Sequence, residues 1–524
     1  MKSVQYDDAI YEVQNHESVL DALLRGGADI NFSCRKGSCQ TCLVRAVEGD
    51  PGAEAQRGLR EELVDSAHFM PCVCHPDEDL VIAPPDLSQL YITAMLTEKE
   101  QLSETVTRLR IEPARDLGWI PGQYINIRRD DGLTRSYSIA SIAEIDYFLE
   151  VHVRRVEDGQ MSRWIHDELE PGAFFEVQGP LGACTYKEEF AGWPLLLVAT
   201  GTGIAPLYGV ARDALRHDHD GPIRVYHGGR TMDDLYLHAQ LEELAEEHDN
   251  LEYFPCLSGD DVPEGIFAGR VTDRVFKEDH PDAAGHVLYL CGNPDMVYDA
   301  RYHAIGAGVS RSDILADPFE SAYPYMPDDD AKLEAVAPDP ELWEALDYGK
   351  GLREILQELY DHTFEDPRLG PFFHNVTKER AISKQYAFLA EVFSGEDNYF
   401  GLNPFNAHHW MIISDDLFDY RENLFERCVR NYGLPEHLVR RWMAFQELFR
   451  REMVKSSQRG LIMDGVEHKK EGFSVEEISI GTVCDGCEGI IEAGSKVRMH
   501  KRTGKLFCEH CSARDATNAV GASL

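Results

Sequence analysis

The chain has 524 residues, 43% of them hydrophobic, and a formal net charge of −41. That length suits roughly three to five domains, and so acidic a surface argues against nucleic acid and anionic membrane as partners. The longest apolar run, WPLLLVATGTGIAPLYGV, is too short and too broken by Pro and Gly to span a bilayer, and the acidic opening MKSVQYDDAIYEV lacks the apolar centre of a signal peptide, so a cytoplasmic protein is expected.

Thirteen cysteines in a reducing compartment are expected as metal ligands and buried apolar residues rather than disulfides. HESVLDALLRGG predicts a helix that stops at glycine, and SCRKGSCQTCL (33–43) follows it. Cys34, Cys39 and Cys42 have the spacing C-x4-C-x2-C, and Cys72 lies further on. Four thiolates so spaced suit a plant-type [2Fe-2S] cluster, with a structural zinc as the alternative. Cys74 shares an expected extended segment with Cys72, so both can face one side. The segment resembles the β-grasp ferredoxins, whose pattern implies Cys72 as ligand and Cys74 as a small core residue.

PGQYINIRRDDGLTRSYSIAS (121–141) alternates as strands do and carries Arg135-x-Tyr137-Ser138. A cation for phosphate, an aromatic plane for stacking and a small hydroxyl suit a flavin. The stretch resembles the flavin motif of the ferredoxin–NADP reductase superfamily. That resemblance implies FAD, with Arg135 on its phosphate, Tyr137 on the isoalloxazine face and Ser138 near N5. VRRVEDGQMSRWIHDEL adds Gly159, Met161 and Ser162, the serine at a helix start where free N–H groups favour an anion.

WPLLLVATGTGIAP then reads as a buried strand followed by Gly201-Thr202-Gly203 and Pro206, glycines that admit a pyrophosphate at the next helix N-terminus. The G-T-G-x-A-P form resembles the nucleotide motif of the same superfamily. VLYLCGNPDMV resembles its second signature, which implies Cys291 and Gly292 beside the nicotinamide. A 2′-phosphate would call for arginine, but the stretch where NADPH users carry it reads CLSGDD. Carboxylates there repel a phosphate, which favours NADH over NADPH; Arg230 is the cation left to serve either. The ferredoxin, FAD and NAD order resembles the reductases of ring-hydroxylating and methane-oxidising systems.

ESAYPYMPDDDAKLEAVAPDPE is rich in proline and acid and reads as a flexible linker. Helical periodicity follows in LREILQELYDHTF, TKERAISKQYAFLAEVF, SDDLFDYRENLFERCVRNYG and PEHLVRRWMAFQELFRREMV, with Thr377, Ser414 and Gly433 as caps. LYDHTFEDPRLGPFF, KQYAFLAEVFSG and NAHHWMIISDDLFD resemble the truncated haemoglobins. That resemblance implies haem b, His408 as its axial ligand with the adjacent His409 as rival, Phe373 against the porphyrin, and Tyr360 and Gln385 on the distal side. Cys484-x2-Cys487 and Cys508-x2-Cys511 form the four-thiolate pattern of structural zinc, with a rubredoxin-type iron as alternative, and the stretch resembles a zinc ribbon or treble clef.

The expected fold is multidomain α+β and α/β. A β-grasp domain (1–88) precedes an antiparallel FAD barrel (89–190) and a Rossmann-like NAD domain (191–320). An acidic linker (321–341), an all-α globin (342–458), a second linker (459–480) and a zinc module (481–524) complete it. The resemblances imply an NADH-dependent oxidoreductase that feeds its own haem for nitric oxide dioxygenation or related O2/NO chemistry. Two other readings stand beside it: an O2, NO or redox sensor signalling to a protein partner through the zinc module, and a reductase for an external oxygenase.

Overall fold

The computed structural model describes the chain except residues 1, 8, 14–16, 33–36, 38, 321–324, 374–375, 397–398, 400, 456–458, 464, 469–472, 479–481, 485–486, 488, 501–505 and 512–524. Two units are present: residues 1–324 with 440–448, and residues 325–439 with 449–524.

Among the described residues the first unit contains three sheets in chain order. The first has five strands, ordered Ala9–Val13, Lys2–Tyr6, Leu80–Ala83, Val44–Glu48, His68–Phe69. Helix Val19–Arg25 buries Val19, Leu20, Ala22 and Leu23. Ser18 starts it by accepting from the Asp21 N–H, a cap that contributes about 1 kcal/mol, and Gly26 ends it as expected.

The second sheet is antiparallel, with six strands in the order Leu149–Arg154, Val106–Pro113, Ile92–Gln101, Phe174–Leu181, Tyr124–Arg128, Thr134–Ser138. A bridge between Ile139 and Val151 ties the two edges together. Alternation sends Leu109, Ile111, Ile125, Ile127, Val151 and Val177 inward to one core.

The third sheet is parallel, with six strands in the order Phe267–Ala268, Leu251–Leu257, Ile223–Gly229, Leu195–Thr200, Val287–Gly292, Ile314–Pro318. Its central strands LLLVAT and VLYLCG are apolar nearly throughout because both faces are covered. The chain runs outward from Leu195–Thr200, then returns to place Val287–Gly292 on its other side. That reversal opens a crevice at the carboxyl ends of these two strands.

The second unit is helical, then strand-rich. Lys350–Glu365, Lys378–Ser394 and Asp415–Tyr432 follow the expected periodicity. Thr377 accepts from the Arg380 N–H, Ser414 accepts from the Leu417 N–H, and Gly433 closes its helix at φ +93°. The stretch expected as one last helix divides into Glu436–Glu447, whose residues from Arg440 on are grouped with the first unit, and Arg450–Met453. Just past the break the buried Arg450 guanidinium is held by Asp415 and Asp419 over the Phe418 ring.

Two stretches expected as linkers carry structure. Helix Asp329–Ala335 lies in the first, and the buried Asp329 carboxylate accepts from the Phe405 N–H. Strands Leu461–Met463, Val466–His468 and Phe473–Glu477 lie in the second. Phe473–Glu477 pairs with Lys496–His500, which pairs with Leu506–Phe507, and Thr482–Val483 forms a hairpin with Ile490–Ile491. Among the described residues no helix is long and apolar enough to cross a membrane.

Candidate functional site

The crevice of the parallel sheet gathers the two glycine motifs. Gly201 has φ +56°, a conformation that disfavours a side chain. A Cβ on Gly203 would lie 2.3 Å from the Cys291 carbonyl oxygen, and one on Gly292 would lie 2.3 Å from that of Thr200. Only glycine lets these two strand ends pass so closely. Thr202 sits in the short turn Gly201–Gly203, and Pro206 is buried in the first turn of helix Ile204–Arg216, whose N-terminus opens on the crevice.

Strand Thr134–Ser138 delivers the hydroxyl of Ser138 to the same place, where it donates to Asp317 Oδ2 at 3.1 Å. Asp317 is the register partner of Cys291 on the neighbouring strand. Burial pushes the Asp317 carboxyl up to about 6, and burial followed by Asp317 raises the Cys291 thiol. Ser138, Asp317 and Cys291 thus form one cluster drawn from two sheets. Asp317 is a residue that sequence reasoning missed; its only signal was a carboxylate inside the apolar strand ILADP.

Tyr137 lies against the barrel core, and burial raises its phenol, with Arg135 acting the other way. The Arg135 guanidinium donates to its neighbour's carbonyl, Thr134 O, at 2.7 Å. The Gly159 motif stands apart from the cluster. Met161 belongs to the barrel core, and the Ser162 hydroxyl accepts from the Val156 N–H at 3.1 Å and closes its own loop. Arg230 is exposed, and its backbone N–H donates to Asp234 Oδ2 at 2.9 Å. A Cβ on Gly259 would meet Arg230 O at 2.3 Å, so a larger residue there would require the backbone to shift.

In the first sheet's domain Cys39, Cys42 and Cys72 are buried, and Cys34 lies outside the described residues. Cys42 and Cys72 share a cluster with Leu43, Met70 and Tyr91. Cys74 faces the opposite core with Val4, Val19 and Phe69, its thiol donating to Pro51 O at 3.4 Å. The expected extended segment is a turn instead. The Cys74 N–H reaches back to Pro71 O, which separates the two thiols that alternation alone would have aligned.

In the helical region Tyr360 donates to Gln385 Oε1 at 2.7 Å, and its ring meets that of Phe373 edge-on at 5.6 Å. His408 ends helix Pro404–His408 with Nδ1 2.8 Å from Pro404 O. A carbonyl only accepts, so Nδ1 carries the proton and Nε2 keeps its lone pair. Burial lowers the His408 imidazole to about 4, so it is neutral at pH 7. His409 is more deeply buried, and its Nδ1 bonds to Asn406 O at 2.6 Å. Burial raises the Tyr360 phenol to about 12, and the Arg421 cation, also missed from sequence, acts the other way there and adds to the lowering at His408.

At the other end of the chain, Cys484, Cys487, Cys508 and Cys511 bring their sulfurs within 4.8 Å of one another. The Cys487 and Cys508 sulfurs are 3.7 Å apart. Tetrahedral zinc with thiolate bonds near 2.3 Å needs about 3.8 Å, so the quartet fits that ion.

The chain matches four domain families: the 2Fe-2S iron-sulfur cluster binding domain over residues 4–77, the oxidoreductase FAD-binding domain over 93–186, the oxidoreductase NAD-binding domain over 197–302, and the bacterial-like globin over 341–454. It is 29% identical to the ferredoxin–NAD(P)+ reductase component of the naphthalene 1,2-dioxygenase system of Pseudomonas putida, over 60% of this chain and 97% of that one. It is 34% identical to the reductase subunit of an aromatic O-demethylase of Amycolatopsis, over 54% of this chain and 87% of that one. Among solved structures, the Amycolatopsis cytochrome P450 reductase GcoB aligns with TM-score 0.46 and 30% identity, over 62% of this chain and all of that one.

Proposed function

This chain belongs to the ferredoxin–NAD(P)+ reductase family and carries a bacterial-like globin after the reductase, and on that premise we propose that it passes electrons from NADH to its own globin haem. When bound, FAD converts a two-electron input into the single electrons that a [2Fe-2S] cluster and a haem iron can carry. Arg135 and Tyr137 hold the flavin, and the Ser138–Asp317 hydrogen bond orients the hydroxyl at its reactive edge. Gly201, Gly203 and Gly292 let the nucleotide approach the backbone between the two strand ends. Asp260, Asp261 and the crowding at Gly259 favour NADH over NADPH.

Cys34, Cys39, Cys42 and Cys72 are the proposed cluster ligands, and Cys484, Cys487, Cys508 and Cys511 the zinc ligands. His408 is the proposed axial ligand. The observation that carries the haem reading is its tautomer, with Nδ1 committed to Pro404 O and Nε2 left to bind iron; His409 bonds a carbonyl through Nδ1 as well, and the resemblance to the truncated haemoglobins favours His408 of the two. Phe373 packs beside the porphyrin, and Tyr360 and Gln385 offer a hydroxyl and an amide to a bound diatomic. The proposed reaction takes nitric oxide, O2 and one electron to nitrate. One NADH therefore serves a pair of turnovers and leaves NAD+ and a proton, and the cytoplasm is the compartment that supplies it. The domain limits we propose are those expected from the sequence, except that Asp329–Ala335 is helical and strand Phe473–Glu477 joins the zinc module.

Anaerobic addition of NADH to the full chain tests this. We expect haem reduction at a rate independent of protein concentration, and nitrate on later addition of O2 and NO. His408→Ala is expected to lose the Soret band of a coordinated haem. Full Soret intensity in that variant would overturn the assignment. A second reading keeps the reductase and directs the cluster's electrons to an external oxygenase. The named roles of the Pseudomonas and Amycolatopsis relatives favour it.

A further inference from the structure

Asn126 raises a question that the nicotinamide crevice does not answer. It lies on strand Tyr124–Arg128 between Ile125 and Ile127, which point into the barrel core. Alternation turns Asn126 outward, where a barrel residue ordinarily meets water. Yet it is 0% exposed, and Gln178 beside it is 3% exposed. What covers it is the cysteine loop, since Asn126 Nδ2 donates to the Cys39 carbonyl oxygen at 2.7 Å.

Asn126 is almost fully used. Its second N–H donates to Gln178 Oε1 at 2.8 Å, and its Oδ1 accepts from the Ser136 hydroxyl at 2.7 Å. Gln178 and Ser136 are its register partners on the two flanking strands, so three strands contribute one polar group each to a single row. The row also settles the amide's orientation, because the Cys39 carbonyl can only accept. Two residues along the same outward face, Arg128 lies over the Tyr91 ring at 5.5 Å, and Tyr91 packs in the cluster that holds Cys42 and Cys72. The seat is therefore specific in more than one place.

Ser136 stands between Arg135 and Tyr137, the two residues assigned to the flavin. We propose that Asn126 is the positioning residue for electron transfer from flavin to cluster. It clamps the cysteine loop to the flavin-binding strand and completes a short route of bonds, from the Ser136 backbone through its hydroxyl and the Asn126 amide to the carbonyl of Cys39. One electron crosses from reduced flavin to oxidised cluster, and no covalent bond forms or breaks. The inference rests on the flavin-to-cluster order of the proposed function. Its readout stops at the cluster, so it survives if the haem is not the acceptor.

The test uses the full holoprotein and two variants, Asn126→Leu, which removes the donor at similar volume, and Asn126→Asp, which places a carboxylate against the Cys39 carbonyl. Anaerobic stopped flow with NADH follows flavin bleaching and cluster bleaching separately. Flavin reduction is expected to keep its rate, while cluster reduction slows at least tenfold in both variants. Hydrogen exchange at the amides of residues 40–43 is expected to rise. Ser136→Ala, which leaves the Cys39 bond in place, is expected to slow the cluster step less than either. A substitution that merely loosened the barrel would slow both steps together and change the flavin spectrum, and that result would overturn the proposal. So would cluster reduction at the parent rate in either Asn126 variant. Should Asn126→Leu fail to load flavin, the Asn126→Asp result alone decides between these outcomes.

Discussion

The two cysteine quartets read alike as sequence and differ in how they are housed. Near one end of the chain Cys39, Cys42 and Cys72 are 6%, 3% and 2% exposed, and the loop that carries Cys39 and Cys42 is bonded to a neighbouring barrel through Asn126. Near the other end Cys487 is exposed, Cys508 and Cys511 are half-buried, and Cys484 alone is enclosed. The buried Cys484 sits with Ile491 and Val497, a core of very few side chains. A thiolate group seated between folded domains suits electron traffic. One that supplies most of its own module's core suits a structural ion.

The largest expected effect comes from breaking the second quartet. Zinc bound to such a module contributes apparent free energy on the order of 10 kcal/mol, so Cys484→Ser or strong chelation should unfold it locally. Loss of protease resistance confined to the zinc module, strand Phe473–Glu477 included, with NADH-to-ferricyanide turnover retained, is the expected result; retained zinc by metal analysis would argue otherwise.

Next in size, Cys72→Ser should abolish the cluster's absorption and EPR signals while flavin reduction continues. Its neighbour provides the control. Cys74→Ala should keep the cluster and reduce stability by about 1–2 kcal/mol, the usual cost of a small buried vacancy. A denaturation midpoint and an EPR spectrum on each variant separate the two thiols, and cluster loss in Cys74→Ala would reverse their assignment.

The smallest effect is one of reactivity. Burial pushes the Cys74 thiol up to about 12, so at pH 9 its thiolate fraction is roughly one in a thousand. The raised value means that reactivity appears only as pH climbs towards 12. Iodoacetamide at pH 9 should therefore spare Cys74 in the folded protein and, once metal is removed, modify the exposed Cys487 first. Peptide mass mapping reads the order.

Much of this was legible before the structure. The cysteine spacings, R-x-Y-S, G-T-G-x-A-P and the caps at Thr377, Ser414 and Gly433 are local signals, each set by a backbone requirement within a few residues. The acidic stretch around Asp329 has the composition of a linker yet forms a helix, Asp329–Ala335. Its buried Asp329 carboxylate accepts from the Phe405 N–H, a bond that joins residues 76 apart in sequence. The contacts of Arg450 at the division of the last helix are long-range too, since Asp415 and Asp419 lie far back along the chain.

The sequence by itself determined which cofactors the chain is equipped for and in what order its modules come, because ligand spacing and glycine turns are short-range matters of geometry. Only the tertiary structure decided that Cys72 and Cys74 face opposite cores, that Asp317 joins Ser138 and Cys291, and that Asn126 is roofed by the cysteine loop. The reason is that each of these depends on burial and on hydrogen bonds between strands or loops distant in sequence, and neither periodicity nor spacing records what comes to lie on the far side of a sheet.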